Sequence, residues 1–194
     1  ERLKRIDAFL QNKDIDTGKL SGAIMLVARH GEVAHFSTLG KMDVERGKPT
    51  EKDSIYRIYS MSKPITSVAL MTLYEEGKFQ LNDPVAQYLP EWAEVQVWVS
   101  GESPDFQTKP VERPMTIRDL LSHQSGLTYG FGEEHPIDLA YPPMLPSHQI
   151  TDSLADWSKS VSDIPLLFEP DSGWNYSIGT DVCGRLVEVL SGKS

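Results

Sequence analysis

A serine and a lysine three residues apart, Ser60-Met-Ser-Lys63, are the residues of this chain whose types and spacing could do covalent chemistry, and no second Ser-x-x-Lys occurs in it. A serine hydroxyl is a poor nucleophile until something takes its proton. On a helical turn, residues i and i+3 share a face, so Ser60 Oγ and Lys63 Nζ would stand within reach of one proton. The lysine acts as a base only when neutral, which requires surroundings that favour the neutral form by about 4–5 kcal/mol. A second titratable group beside it would share the proton, and Tyr176, in Trp174-Asn-Tyr-Ser177, is the candidate. The start of a helix also offers unpaired N–H groups and a positive dipole end to an oxyanion forming beside Ser60. The plainer alternative makes Ser60 a helix cap, Lys63 a solvated first-turn residue and Tyr176 a half-buried aromatic.

Other chemistries find less support. A strand-to-helix nucleophile elbow would show Gly-x-Ser-x-Gly, and that pentapeptide is absent. The five histidines, His30, His35, His123, His135 and His148, lack zinc-ligand spacing, so no metal or other cofactor is expected. His123, in Leu120-Leu-Ser-His-Gln-Ser-Gly-Leu127, reads as structural. Cys183 is the single cysteine and cannot form an internal disulfide, which fits a reducing, cytoplasmic setting.

The chain has 194 residues, 39% of them apolar, enough for a sizeable core. Its 28 acidic residues outnumber 19 basic ones for a net charge of −9, and no Lys/Arg block is present, so nucleic acid is not an expected partner. Apolar runs such as residues 23–28 fall far short of the roughly 20 residues of a bilayer span, so no membrane partner is expected either.

The elements that must hold these side chains can be read from periodicity. Leu3, Ile6, Phe9 and Leu10 recur at helical spacing. Residues 22–28, the turn Arg29-His30-Gly31-Glu32 and residues 33–39 read as a β-hairpin. Residues 53–58 alternate like a strand before the period becomes helical at Pro64, with Ile65, Val68, Ala69 and Leu73 on one face and Gly77 as a left-handed cap. Pro64 has no N–H to bond back to residue 60, so the helix must begin very near Ser60 or start irregularly. Residues 82–92 read as turns, Val95, Val97 and Val99 alternate, and a polar loop runs to Pro114. Thr116-Ile-Arg-Asp119 has the form of a capping box opening a short helix. Residues 128–146 lack a period and read as an irregular surface passage with the makings of a lid. Val182, Leu186, Val189 and Leu190 line a last helix, capped by Gly192.

Taken together, several segments resemble one family, the serine β-lactamase-like superfamily, and within it the family VIII carboxylesterases. They are the hairpin of residues 22–40, Tyr59-Ser-Met-Ser-Lys-Pro-Ile-Thr-Ser67, Leu73-Tyr-Glu-Glu-Gly-Lys-Phe-Gln-Leu-Asn-Asp-Pro84, Met115-Thr-Ile-Arg-Asp-Leu-Leu-Ser-His-Gln-Ser-Gly-Leu127, Phe168-Glu-Pro170 and Trp174-Asn-Tyr-Ser177. The resemblance implies an α+β fold of the β-lactamase/penicillin-binding-protein type, an antiparallel sheet with flanking helices plus a helical domain. Residues 1–58 would be the N-terminal part of the α/β domain and residues 59–194 the mainly helical domain. A third motif and the rest of the α/β domain would lie beyond Ser194, leaving the first strands with an uncovered edge or apolar face.

It implies a serine carboxylesterase acting on small, short-acyl esters through an acyl-enzyme on Ser60. Lys63 and Tyr176 would share the proton transfers, and the Ser60 backbone amide would serve the oxyanion hole. Tyr129, Trp174, Ser177 and Ile178 are the implied pocket residues. Where class C β-lactamases read Tyr-x-Asn, this chain has Tyr176-Ser177-Ile178, which favours esters over lactams. A β-lactamase, D-amino-acid peptidase or transacylase of the same fold, and a non-catalytic penicillin-binding-like sensor, are the alternatives.

Overall fold

The computed structural model describes residues 2–132, 134–141 and 153–194. It divides into two compact units, Glu1–Ile58 and Tyr59–Ser194.

The first unit opens with α1 (Lys4–Leu10), which runs into a π-helical turn at Gln11–Ile15. Strand β1 (Gly22–Arg29) pairs antiparallel with β2 (Glu32–Asp43), which pairs in turn with the two-residue β3 (Lys48–Pro49). The hairpin turn has positive φ at both central residues, His30 and Gly31, the mirror-image type whose twist suits paired strands. Asp7 ties α1 to the sheet, accepting from the Ser37 hydroxyl at 2.6 Å and meeting His35 Nε2 at 2.8 Å. The sheet lacks a core of its own. Thr50 is its single fully buried residue, while Leu26, Val33, Met42 and Val44 are half or more exposed. An uncovered apolar face was the expectation for these strands, and a unit of this size cannot meet its folding entropy without one being covered. The alternating residues 53–58 form no strand, and Ile55 is 96% exposed. Alternation makes a strand only where an edge exists to pair with.

The second unit holds the hydrophobic core. Its long helices are α2 (Ser62–Glu75) and α6 (Gly179–Ser191), which pack on each other through Leu70, Leu73, Val182 and Leu186. Between them come 3-10 turns at Val85–Gln87 and Pro90–Trp92, the hairpin β4 (Gln96–Ser100) with β5 (Gln107–Pro110), and the short helices α3 (Ile117–Leu121), α4 (Pro136–Ala140) and α5 (Leu154–Ser162).

Four details depart from the patterning. The buried face of α2 is Leu70 and Leu73, whereas Ile65 and Val68 are 63% and 64% exposed. Strand β5 lies in what reads as a polar loop. Its register with Val97 and Trp98 of β4 forms it, not its own hydrophobicity. Val189, placed on the inner face of the last helix by its period, is 40% exposed. The passage from residue 128 is no surface loop at its start: Thr128, Ile137, Asp138 and Tyr141 are buried, and the Thr128 hydroxyl donates to Asp138. The rest of that passage, residues 142–146, lies outside the described residues.

The capping box of α3 is complete. Asp119 N–H bonds Thr116 Oγ1 at 3.3 Å, Thr116 N–H bonds Asp119 Oδ2 at 2.8 Å, and Arg113 clasps the same carboxylate at 2.9 and 3.0 Å. Gly77 and Gly192 close α2 and α6 in the left-handed region. Because Asp119 is 3% exposed and accepts four hydrogen bonds, its loss strands several donors at once. Asp119→Ala is expected to lower the urea unfolding free energy by about 2–3 kcal/mol; a change under about 0.5 kcal/mol would remove this cluster from the supports of the fold.

Candidate active site

Ser60 lies in a 3-10 turn, Tyr59–Met61, that leads directly into α2. Pro64 therefore falls in the first turn of α2, where its missing N–H leaves no bond unmade. Tyr59 has φ +46, a left-handed conformation uncommon for an aromatic residue, and it sets the direction in which Ser60 is presented.

Two further segments reach the same place. The stretch 174–178 is pinned to 123–128 by Asn175 N–H to His123 O (2.9 Å), Asn175 Nδ2 to Leu127 O (3.2 Å) and Ile178 N–H to Thr128 O (3.3 Å). Two glycines permit the fit. A Cβ on Gly126 would meet the Phe168 carbonyl at 2.3 Å, and one on Gly179 the Leu120 carbonyl at 2.7 Å. His123 is structural, as its local sequence implied. Its Nδ1 accepts Ser177 N–H at 3.2 Å, so the ring is the Nε2–H tautomer, and burial with the nearby Lys63 charge keeps its pKa below the ordinary value.

Ser60, Lys63 and Tyr176 come together on one cavity of about 530 Å³, with Tyr59, Tyr129, Phe131, Leu154 and Asp181 among its other lining residues. Lys63 Nζ donates to Tyr129 Oη at 2.5 Å and lies 4.7 and 4.8 Å from the ring centres of Tyr129 and Tyr176. The tyrosine rings stack at 5.4 Å, and Phe131 continues the stack beyond Tyr129 at 4.9 Å. Ser60 lines the same wall, and its side chain favours the ionised form of the Tyr176 phenol.

The charge balance differs from the one the sequence suggests. Burial pulls the Lys63 pKa down, but the Tyr129 and Tyr176 oxygens and the Asp181 charge outweigh it, and the net shift is upward. That balance favours the charged form of Lys63 over the neutral one. The Tyr176 phenol moves the other way, downward, because the Ser60 and Lys63 side chains both favour its ionised form and the Lys63 charge adds to them against a smaller desolvation effect.

Of the residues implied for the pocket, Tyr129 lines it and touches Lys63. The other three do not line it: Trp174 is 66% exposed, while Ser177 and Ile178 are 0% and 1% exposed inside the core. Asp181, five residues after Tyr176, was not found from the sequence. Its oxygen accepts from Tyr129 Oη at 3.3 Å, but an aspartate in the first turn of a helix looks like any dipole-stabilising residue.

An antiparallel-sheet unit, a helical unit and a Ser-x-x-Lys at a helix start define the class of fold shared by the β-lactamases and penicillin-binding proteins. The chain belongs to the beta-lactamase family, whose model matches residues 5–194, and its fold is the β-lactamase/penicillin-binding-protein fold. It is 38% identical over 90% of its length to Protein Rv1367c of Mycobacterium tuberculosis, covering 43% of that protein. It is 32% identical over 97% of its length to Esterase EstB of Burkholderia gladioli, covering 45% of it. Among solved structures it superposes on EstCE1, described as a hydrolase with promiscuous acyltransferase activity, with a TM-score of 0.82 at 30% identity, covering 98% of this chain and 47% of that one. The chain thus spans a little under half the length of these relatives. Among the described residues no helix is long and apolar enough to cross a membrane.

In an ultraviolet titration, the phenolate signal lost on Tyr176→Phe is expected at a lower pH than that of an ordinary tyrosine. Lys63→Met should move that signal to higher pH, since it removes a donor and a positive charge that favour the phenolate. A Tyr176 signal that ignores Lys63→Met would disprove this electrostatic account.

Proposed function

We propose that this chain carries the nucleophile, its base and its cation for a serine carboxylesterase that hydrolyses small, short-acyl esters through an acyl-enzyme on Ser60. The observation that supports the reading is the gathering of Ser60, Lys63 and Tyr176 on one cavity, with Lys63 Nζ 4.8 Å from the Tyr176 ring centre and the phenol shifted toward ionisation.

The steps follow from that arrangement. Tyr176, whose ionised form Lys63 favours, takes the proton of Ser60 while Ser60 Oγ attacks the ester carbonyl. The oxyanion formed sits at the start of the helical turn, with the Ser60 backbone amide as one donor. Tyr176 returns the proton to the departing alkoxide, which leaves as the alcohol. Water enters by the reverse route, giving one proton to Tyr176 and its hydroxyl to the acyl carbon; the bond from that carbon to Ser60 Oγ then breaks, Tyr176 returns the proton to Ser60 Oγ, and the carboxylic acid leaves. Lys63 stays charged throughout. The units are assigned accordingly: residues 59–194 supply the helical domain with the site, and residues 1–58 the first part of an α/β domain.

Two observations bear on substrate class. EstB is named an esterase, and EstCE1 is titled a hydrolase with acyltransferase activity. At the third position of the Tyr motif, Ile178 is 1% exposed and packed in the core, so it offers no polar group to a lactam. Acyl transfer to an alcohol is the second reading. It needs the same intermediate and differs only in the acceptor, and the EstCE1 title favours it.

Full-length protein is expected to turn over p-nitrophenyl butyrate and to accumulate a butyryl adduct on Ser60, seen by mass spectrometry of the quenched enzyme. Ser60→Ala should lower kcat/KM at least about 1,000-fold and Tyr176→Phe about 100-fold or more. Ester turnover that survives Ser60→Ala defeats this mechanism. Fast turnover of a chromogenic cephalosporin with none of the ester would transfer the protein to the lactam hydrolases.

A further inference from the structure

Lys63 touches two phenols, and nothing about their shared cation distinguishes them. What does so lies on their other sides. Tyr176 shares the cavity wall with Ser60 and has the Lys63 ammonium 4.8 Å from its ring centre, and both neighbours favour its ionised form. Tyr129 Oη receives Lys63 at 2.5 Å and faces Asp181 Oδ2 at 3.3 Å. A phenol has one proton to give, and with an ammonium on one side of Tyr129 and a carboxylate on the other, that proton points to Asp181.

We propose that Asp181 is a positioning residue that assigns the two phenols their roles: by engaging the Tyr129 proton it keeps Tyr129 a neutral hydrogen-bond relay, and leaves Tyr176 as the phenol that takes the Ser60 proton.

The fold places Asp181 for this. It stands in the first turn of α6, a 13-residue helix whose N-terminal dipole favours a carboxylate, three residues after Ile178 ends the segment that carries Tyr176. One helix start thus presents the base and the group that silences its competitor. The electrostatics agree with the geometry. Burial raises the Tyr129 pKa, the Lys63 hydrogen bond opposes it, and Asp181 adds to it, for a net rise, while Tyr176 falls. Asp181 itself is raised by loss of hydration, which Lys63 and the Tyr129 hydroxyl partly offset. The other titratable groups facing this cluster are neutral: His123, depressed, with its ring 4.8 Å from that of Tyr176, and the buried Cys183 thiol, raised. Lys63 and Asp181 are then the charges between which the phenols divide.

The inference rests on the reading of Ser60 as nucleophile, but its test has an arm that does not. With isotope-labelled tyrosines in full-length protein, assigned by Tyr176→Phe and Tyr129→Phe, the Tyr176 resonance is expected to titrate well below that of Tyr129. In Asp181→Asn the Tyr129 midpoint should fall further than that of Tyr176, narrowing the gap; Asp181→Ser, which keeps a polar group at the helix start, is the second variant should asparagine unfold the chain. In p-nitrophenyl butyrate turnover, Asp181→Asn should lower kcat by about tenfold in the parent but less than about twofold in Tyr129→Phe, because the competing phenol is already gone. An equal loss in both backgrounds would make Asp181 merely structural and overturn the proposal. So would a Tyr129 resonance that titrates with or below Tyr176 in the parent. A parent without esterase activity would sink the nucleophile reading alone, and the titration would still decide the order of the phenols.

Discussion

The site depends on one ammonium held between two phenol oxygens. A charged lysine drawn into a crowded wall loses hydration, and that loss alone would push it toward neutrality. Here Tyr129 at 2.5 Å, Tyr176 and the Asp181 charge more than offset it, so Lys63 stays protonated. Once the lysine is an ammonium it cannot receive a proton from Ser60. Its effect is instead on its neighbour, whose phenol it makes more acidic. On the proposed reading, base strength is thereby moved from the amine, where the sequence suggests it, to the aromatic oxygen beside it.

Three separate segments must meet within hydrogen-bonding distance for this to work, and the core is arranged around that demand. The start of α2 brings Ser60 and Lys63. The loop after Gly126 brings Tyr129, and the run into α6 brings Tyr176 and Asp181. Leu70 and Leu73 against Val182 and Leu186 fix the two helices, but apolar packing tolerates small slides. Directional bonds remove that freedom: Asn175 and Ile178 to the backbone of residues 123–128, Ser177 to His123, and Thr128 to Asp138. The buried Arg113–Asp119 clasp does the same for α3, against whose end Gly179 rests without a side chain.

The sequence made legible whatever is local. The hairpin turn at His30-Gly31, the Thr116–Asp119 capping box and the glycines after α2 and α6 are all set by backbone needs within a few residues, and each is where its pattern puts it. Ser60 and Lys63 share a helical spacing, so their meeting needs no tertiary information. Tyr129 and Tyr176 are 47 residues apart in sequence; the phenol chemistry of Tyr176 and its place before the last helix singled it out, while Tyr129 entered through the family resemblance. Where the outcome is set by neighbours, pattern alone misleads. Ile65 and Val68 have the period of a buried face yet stand exposed, β5 is polar yet paired, and Ser177 and Ile178 adjoin a cavity residue yet point into the core. Asp181 was illegible for the same reason, since only the fold brings Tyr129 to it.

The charges left over in the cavity bear on what it accepts. Among the described residues its lining offers one cation, Lys63, which already donates to Tyr129 Oη and lies 4.8 Å from the Tyr176 ring centre. A substrate bearing a carboxylate near its reacting carbonyl would have to draw Lys63 away from Tyr176, raising the pKa of the group that must take the Ser60 proton. It would also meet the field of Asp181, which already opposes ionisation of both phenols. A neutral acyl group has no such effect and finds apolar faces instead, with Tyr129, Phe131 and Tyr176 stacked in a row and Tyr59 and Leu154 alongside. The arrangement that makes Tyr176 a base therefore also selects against anionic substrates, so that on the proposed reading preference for simple esters and the means of hydrolysing them come from one set of contacts.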